Sequence, residues 1–172
     1  MNGLTLRELE PHDEQAFLAG YNDWKDDDLS WYTFAWKPGM SHQEHLQILK
    51  DQKDKTKIPK NRVPGTMLYG FVHGEIIGRF NIRHELNPHL LERGGNVGYA
   101  VAARHRKKGY ASEMFRLGKA YCKQLSLQKI LITCADQNIA SWKIIEKFGG
   151  QLENKIFDSE EKEWIRRYWM QL

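Results

Sequence analysis

The chain has little cysteine. Cys122 and Cys134 stand alone, with no histidine or cysteine cluster nearby, which excludes a disulfide scaffold and a thiolate metal site, and no metal ligands are expected. The opening MNGLTLRELEPHDE lacks the basic and apolar regions of a secretory signal, so a cytoplasmic location is the expectation. No stretch approaches the ~18 consecutive apolar residues of a membrane span, so no membrane partner is expected. Neither the GxGxxG of dinucleotide folds nor the Gly-Lys-Ser/Thr of a P-loop is present. No repeat, low-complexity tract or Pro/Gly/Ser linker divides the 172 residues, and one domain over residues 1–172 is expected.

What is present is a globular composition with a local concentration of positive charge. The formal net charge is +4, yet Arg104, Arg106, Lys107 and Lys108 fall within five positions while acidic residues are scattered elsewhere. A short basic knot suits a small polyanion rather than a duplex, and the neighbouring aromatics fall at helical core positions instead of forming a stacking platform. No nucleic-acid partner is expected.

Thr5–Leu9 alternates as a first strand, and Pro11 opens a helix to about Trp24 that Asp26, Asp27 and Asp28 end. After the aromatic stretch Leu29–Trp36, Ser41 and Glu44 form a capping box for a helix to about Lys55. A hairpin follows, Met67–His73 and Ile76–His84 around a Gly74-Glu75 turn, then an Asn87-Pro88 interruption and a strand over Gly95–Ala102. Gly109–Leu127 is the strongest helix, with Ala111, Met114, Phe115, Gly118, Tyr121, Cys122 and Leu125 on one face. Lys129–Cys134 is a strand buried on both faces. Asn138 or Ser141 caps a helix that Gly149-Gly150 stops, and Gln151–Asp158 and Trp164–Met170 are two closing strands. The fold class is α/β, with a mixed sheet flanked by helices.

The informative stretch is VGYAVAARHRKKGYASEMF. A strand runs into a basic loop and then into a long helix whose first N–H groups lack intrahelical partners and sit at the positive end of the helix dipole. That end binds phosphate groups, and Gly109 lets a ligand approach the backbone closely. Arg106-x-x-Gly109-x-Ala111 resembles the acetyl-CoA signature (Q/R-x-x-G-x-G/A) of the GNAT-type N-acetyltransferases. The block LITCADQNIASWKIIEKFGG resembles that family's second landmark, a strand, then N-x-x-S, then a helix ending in E-K-x-G. The resemblance covers about residues 4 to 170.

The resemblance implies a GNAT-like acyltransferase fold of mostly antiparallel strands and a cosubstrate, acetyl-CoA. It implies that backbone groups of Tyr99, Ala100 and Val101 pair with pantetheine. Arg106, Lys107, Lys108, Gly109, Tyr110, Ala111 and Ser112 would surround the pyrophosphate, with Asn138 and Ser141 on the cofactor arm. The alternative for Asn138 is a plain helix cap, a role compatible with cofactor contact. Many members carry a tyrosine seven residues after that asparagine as general acid, and Ile145 stands there. Asn96 and Thr133 stand where a carboxylate base is common.

His84 and Glu92 are the named substitutes for proton transfer, with Tyr69 and Tyr99 on strands that face the cleft. His84 reads also as a hydrogen-bonded strand-end residue, and Arg83 and Glu85 as acceptor contacts or a solvated turn. Cys134 reads as a small core residue. The run Trp31–Trp36 either borders the acceptor or packs a mini-core. The expected reaction moves an acetyl group from acetyl-CoA to a primary amine, on a small molecule or a protein. The alternative is an acyl-CoA sensor with little turnover. The closing strand is a candidate homodimer interface.

Overall fold

The computed structural model describes residues 3–25 and 27–172, and in it seven strands share one sheet. They are β1 (Thr5–Arg7), β2 (Gly65–Val72), β3 (Glu75–Arg83), β4 (Val97–Val101), β5 (Lys129–Ala135), β6 (Gln151–Asp158) and β7 (Glu163–Gln171). The order is β1-β2-β3-β4-β5-β7-β6, antiparallel throughout except where β4 runs parallel to β5. The helices are α1 (Glu14–Asp23), α2 (Ser30–Thr33), α3 (His42–Asp51), α4 (Pro88–Glu92), α5 (Tyr110–Gln124) and α6 (Ile139–Lys147). No helix of the described residues is long and apolar enough to cross a membrane.

Two cores hold the sheet. Phe17, Trp24, Tyr32, Trp36 and Leu49, from the first three helices and the turns after them, cover Met67, Tyr69 and Phe71 on one face. Met114, Phe115 and Cys122 of α5, with Ile145 of α6, cover Leu68, Phe80 and Ile82 on the other. Burying each such side chain contributes roughly 1.5–3 kcal/mol. The expected one-faced pattern of α5 is therefore present, and the α3 capping box forms with Ser41 and Glu44.

Several boundaries differ from expectation. Pro11–Asp13 is a separate 3-10 turn, because the Asp13 carboxylate accepts the Glu10 N–H and holds Arg7 instead of extending α1. The hairpin turns at His73-Gly74 (φ 51° and 81°), one residue earlier than read, with both residues in the positive-φ region such turns use. α3 ends at Asp51, and Asp54 starts a new turn by accepting the Thr56 N–H. Asn87-Pro88 opens a helix rather than interrupting the chain, since Asn87 caps Leu90 and proline suits the first helical position. Asp26 lies outside the described residues.

His45 is fully buried against Phe17, with neither ring nitrogen hydrogen-bonded. Desolvation and the neighbouring His42 lower its pKa to about 4 from 6.5. Both states are neutral at pH 7. Below 6.5 the unfolded chain takes up a proton that the folded chain refuses, so stability falls as pH falls toward 4. Urea unfolding at pH 5 should show a loss of about 2 kcal/mol relative to pH 7. His45→Leu should remove most of that loss, leaving a residue from His84 and His105, which burial lowers in the same direction.

Candidate active site

The site begins with one polar clamp. Asn96 donates its backbone N–H to Leu131 O (2.7 Å), accepts the Leu131 N–H on Oδ1 (2.8 Å), and donates from Nδ2 to Arg83 O (3.0 Å). Thr133 Oγ1 accepts the Gly94 N–H at 2.8 Å. These bonds fasten β3, β4 and β5 at one end, and Val97–Ile132 is the parallel pair between β4 and β5. Beyond it the two strands part. Asn96 and Thr133 thus hold the wedge that makes the site.

Backbone alternation decides what the wedge exposes. Ala102 N–H bonds Ile77 O and Arg83 N–H bonds Asn96 O, so the even-numbered residues of β4 turn their backbone groups to β3. Ala100 is therefore committed to Arg79, a correction to the expected trio. Tyr99 and Val101 face the gap. Val101 O accepts Arg106 Nε at 2.9 Å, and the same guanidinium reaches both oxygens of Asp27 at 2.9 Å.

A cleft of about 630 Å³ continues from that edge to the start of α5. Tyr99, Ala100, Val101, Arg106, Lys107, Gly109, Tyr110, Ala111, Ser112, Asn138 and Ser141 all line it, whereas Lys108 does not. Gly109 caps the helix at φ 83°, a left-handed conformation natural to glycine. Among the described residues, the N–H groups from Lys107 to Ser112 have no partner. Asp23 and Glu75 pair with Arg104, and Asp27 with Arg106, so the uncompensated charge of the knot rests on Lys107 and Lys108. Asn138 caps α6 by accepting the Ser141 N–H on Oδ1, which leaves its Nδ2 free at the cleft. Sequence reasoning missed His105, buried in this wall with Nε2 unpartnered.

A second cavity of about 560 Å³ adjoins the first through Tyr99, Ala100, Arg106, Asn138 and Ser141. Its walls bring together Asp27, Asp28, Trp31, Arg83, His89, Arg93, Thr133, Cys134 and Glu163. The aromatic run divides by residue: Trp31 is exposed at this cavity, while Tyr32 and Trp36 are buried in the core. His84 and Glu92 line neither space. His84 follows Arg83, so strand alternation turns it away, and its Nε2 meets Thr66 Oγ1 at 2.8 Å. Glu92 is exposed on α4, whose buried residue is Leu90 and whose exposed His89 reaches the second cavity. Tyr69 is sealed in the core with its hydroxyl donated to Tyr32 O, and Ile145 is fully buried.

Of the two strand tyrosines, Tyr99 is the one that reaches the site. It lies where the two spaces meet, with Oη 3.0 Å from Ser141 Oγ, and burial raises its pKa to about 12. Cys134 is half-buried on the same wall, its thiol pushed up to about 11 by burial, so it stays protonated.

A split parallel pair, an unpaired strand edge and free helix N-terminal amides define a domain shaped for an extended ligand with a phosphate end. The chain belongs to the GNAT acetyltransferase family, whose acetyltransferase (GNAT) domain model matches residues 3–151. That family uses acetyl-CoA. The uncharacterized N-acetyltransferase YnaD of Bacillus subtilis (strain 168) is 30% identical over 97 residues, 55% of this chain and 55% of its own. The match thus spans about half the length of that curated relative. Among solved structures, a GNAT-family acetyltransferase from Streptococcus pneumoniae aligns with a TM-score of 0.65 at 16% identity, covering 98% of this chain and 99% of its own. RimL, a ribosomal L7/L12 α-N-protein acetyltransferase in complex with coenzyme A, aligns at 0.63 and 16% identity, covering 100% and 96%. These two likenesses concern the fold.

Proposed function

We propose that the chain moves the acetyl group of acetyl-CoA to a primary amine by direct attack of the amine on the thioester. One observation carries this reading: the unpaired edge of β4 runs into the free amides at the start of α5, and the same edge opens sideways into a second cavity. The residues present fit the cosubstrate. Tyr99 offers its backbone groups, and Val101 its N–H, as a strand partner for pantetheine, the Val101 carbonyl being held by Arg106. The amides from Lys107 to Ser112 and the Lys107 ammonium hold the pyrophosphate, with the Lys108 charge nearby outside the cleft wall. Asn138 Nδ2 and Ser141 line the arm between them. Acetyl-CoA, when bound, supplies an activated acyl thioester.

The chain's own part is to orient and to move protons. The second cavity receives the amine, and among the described residues Asp28 and His89 are the carboxylate and the imidazole on its wall that stand outside any guanidinium ion pair. They take up the proton that the attacking nitrogen sheds. Tyr99, kept protonated at neutral pH, donates its hydroxyl proton as a hydrogen bond to the departing sulfur, the task the buried Ile145 does not serve.

The test is thiol release from acetyl-CoA against a panel of amines, with mass spectrometry of the acetylated product. Tyr99→Phe should lower kcat about 10²-fold and leave acetyl-CoA affinity within about threefold, below the ~1.4 kcal/mol of a tenfold change. Acetyl-CoA binding with no thiol release across the panel would replace transfer with binding alone.

A further inference from the structure

Charge accounting around the second cavity leaves one cation over. Arg93 pairs with Asp158 and with Glu163 (3.2 Å), and Arg106 with Asp27 (2.9 Å). Arg79 lies behind Trp31 with 6% exposure and donates Nη1 to Ser30 O at 3.3 Å. Arg83 has no carboxylate within ion-pair distance among the described residues. Its Nη1 donates to the Gly94 and Gly95 carbonyls (3.0 and 3.1 Å), which pins the side chain, while Nε and Nη2 have no partner among the described residues. Gly94 leaves the room: a Cβ there would lie 3.6 Å from Nη1 and 3.1 Å from Leu90.

A half-buried guanidinium pinned by one nitrogen presents its other edge as a fork of two parallel N–H donors. That fork matches a carboxylate in two-point contact. A guanidinium held only to clamp the Gly94-Gly95 turn would not need a place on the cavity wall, where Arg83 stands with Leu90 and Thr133.

We infer that the amine acceptor carries a carboxylate, and that Arg83 binds it in the second cavity. The inference rests on the transfer reading and deepens it, since it names the acceptor class as amino-acid-like amines. Arg79 adds positive potential from beneath, and Asp28 stands on the α1–α2 side of the same cavity for the ammonium form of the incoming amine.

The experiment has two arms. In the first, kcat/KM is measured for neutral amino acids and their matching carboxamides. The acids should be preferred by about thirtyfold, within the range of a charge-assisted hydrogen-bonded pair. In Arg83→Gln that preference should collapse to within about threefold, and Arg83→Lys, which keeps the charge without the fork, should retain an intermediate part. In the second arm, N-acetyl amino acids and N-acetyl amino amides are titrated by calorimetry into protein saturated with coenzyme A, which needs no turnover. Arg83-dependent binding of the N-acetyl acid without thiol release would uphold the carboxylate site and overturn transfer. Turnover with acids and amides accepted alike, or an equal loss for both in Arg83→Gln, would overturn the carboxylate site and leave transfer standing. Failure of every carboxylate probe to bind would overturn it as well.

Discussion

Gly109→Glu should abolish acetyl-CoA binding while the domain stays folded. Gly109 caps α5 at φ 83°, where an L-residue costs roughly 1–2 kcal/mol. A glutamate at a helix N-terminus recovers part of that through the dipole, so the thermal midpoint should fall by only a few degrees. The ligand faces a larger change. The new carboxylate stands among the amides meant for the pyrophosphate, and two like charges about 4 Å apart near a protein surface repel by about 4 kcal/mol. That corresponds to about a thousandfold in Kd, and calorimetry should register no heat at concentrations where the wild type saturates. Gly109→Ala separates the causes, because it carries the backbone strain without the charge and should weaken binding about tenfold. Wild-type affinity in Gly109→Glu would remove the cofactor from the start of α5.

The same helix shows which parts of the molecule were legible in the sequence. α5 could be read because its apolar residues recur at three- and four-residue steps, a signal contained within one segment, and because Gly109 and Ala111 stand in a recognisable string. The capping box of Ser41 with Glu44 and the cap of Asn138 are equally local. The cleft was not legible, since it depends on where β4 and β5 part. Asn96 decides that point by bonds to Arg83 and Leu131, thirteen and thirty-five positions away. The segment NIRHELN reads plainly as the end of a strand. Whether Arg83 or His84 faces the cavity follows from which sheet face α1–α3 cover, and a choice off by one position inverts the answer. Arg106 lines the cleft as the signature string implies, and its bond to Asp27, seventy-nine positions earlier, is not legible in that string. Long-range pairs of this kind leave no periodic trace.

Gly118 carries the second large effect, on the fold itself. It lies in the middle of α5, where glycine costs about 1 kcal/mol relative to alanine, so helix propensity alone predicts that Gly118→Ala stabilises. Packing predicts the reverse. A Cβ at this position would lie 2.2 Å from Cζ of Phe80 and within 2.6 Å of both Cε atoms. Phe80 is a fully buried β3 ring, stacked on Tyr99 and edge-on to Phe115, and has no free direction in which to yield. Overpacking typically costs 1–3 kcal/mol, and a contact this short against a fixed ring belongs at or above the upper end. Gly118→Ala should therefore lose about 2 kcal/mol net in urea unfolding, and Gly118→Leu should fail to fold. Phe80→Leu shortens the opposing side chain, so the double variant Gly118→Ala/Phe80→Leu should be more stable than the sum of its singles by at least about 1 kcal/mol. Simple additivity would show that the helix does not rest on Phe80. The consequence reaches the site, because Gly118 sets how closely α5 approaches β3, and β3 carries β4 beside it. If α5 rides outward on an added methyl, the amides from Lys107 to Ser112 move relative to the free edge at Tyr99. Acetyl-CoA affinity should then fall in folded Gly118→Ala, although residue 118 touches no part of the cleft.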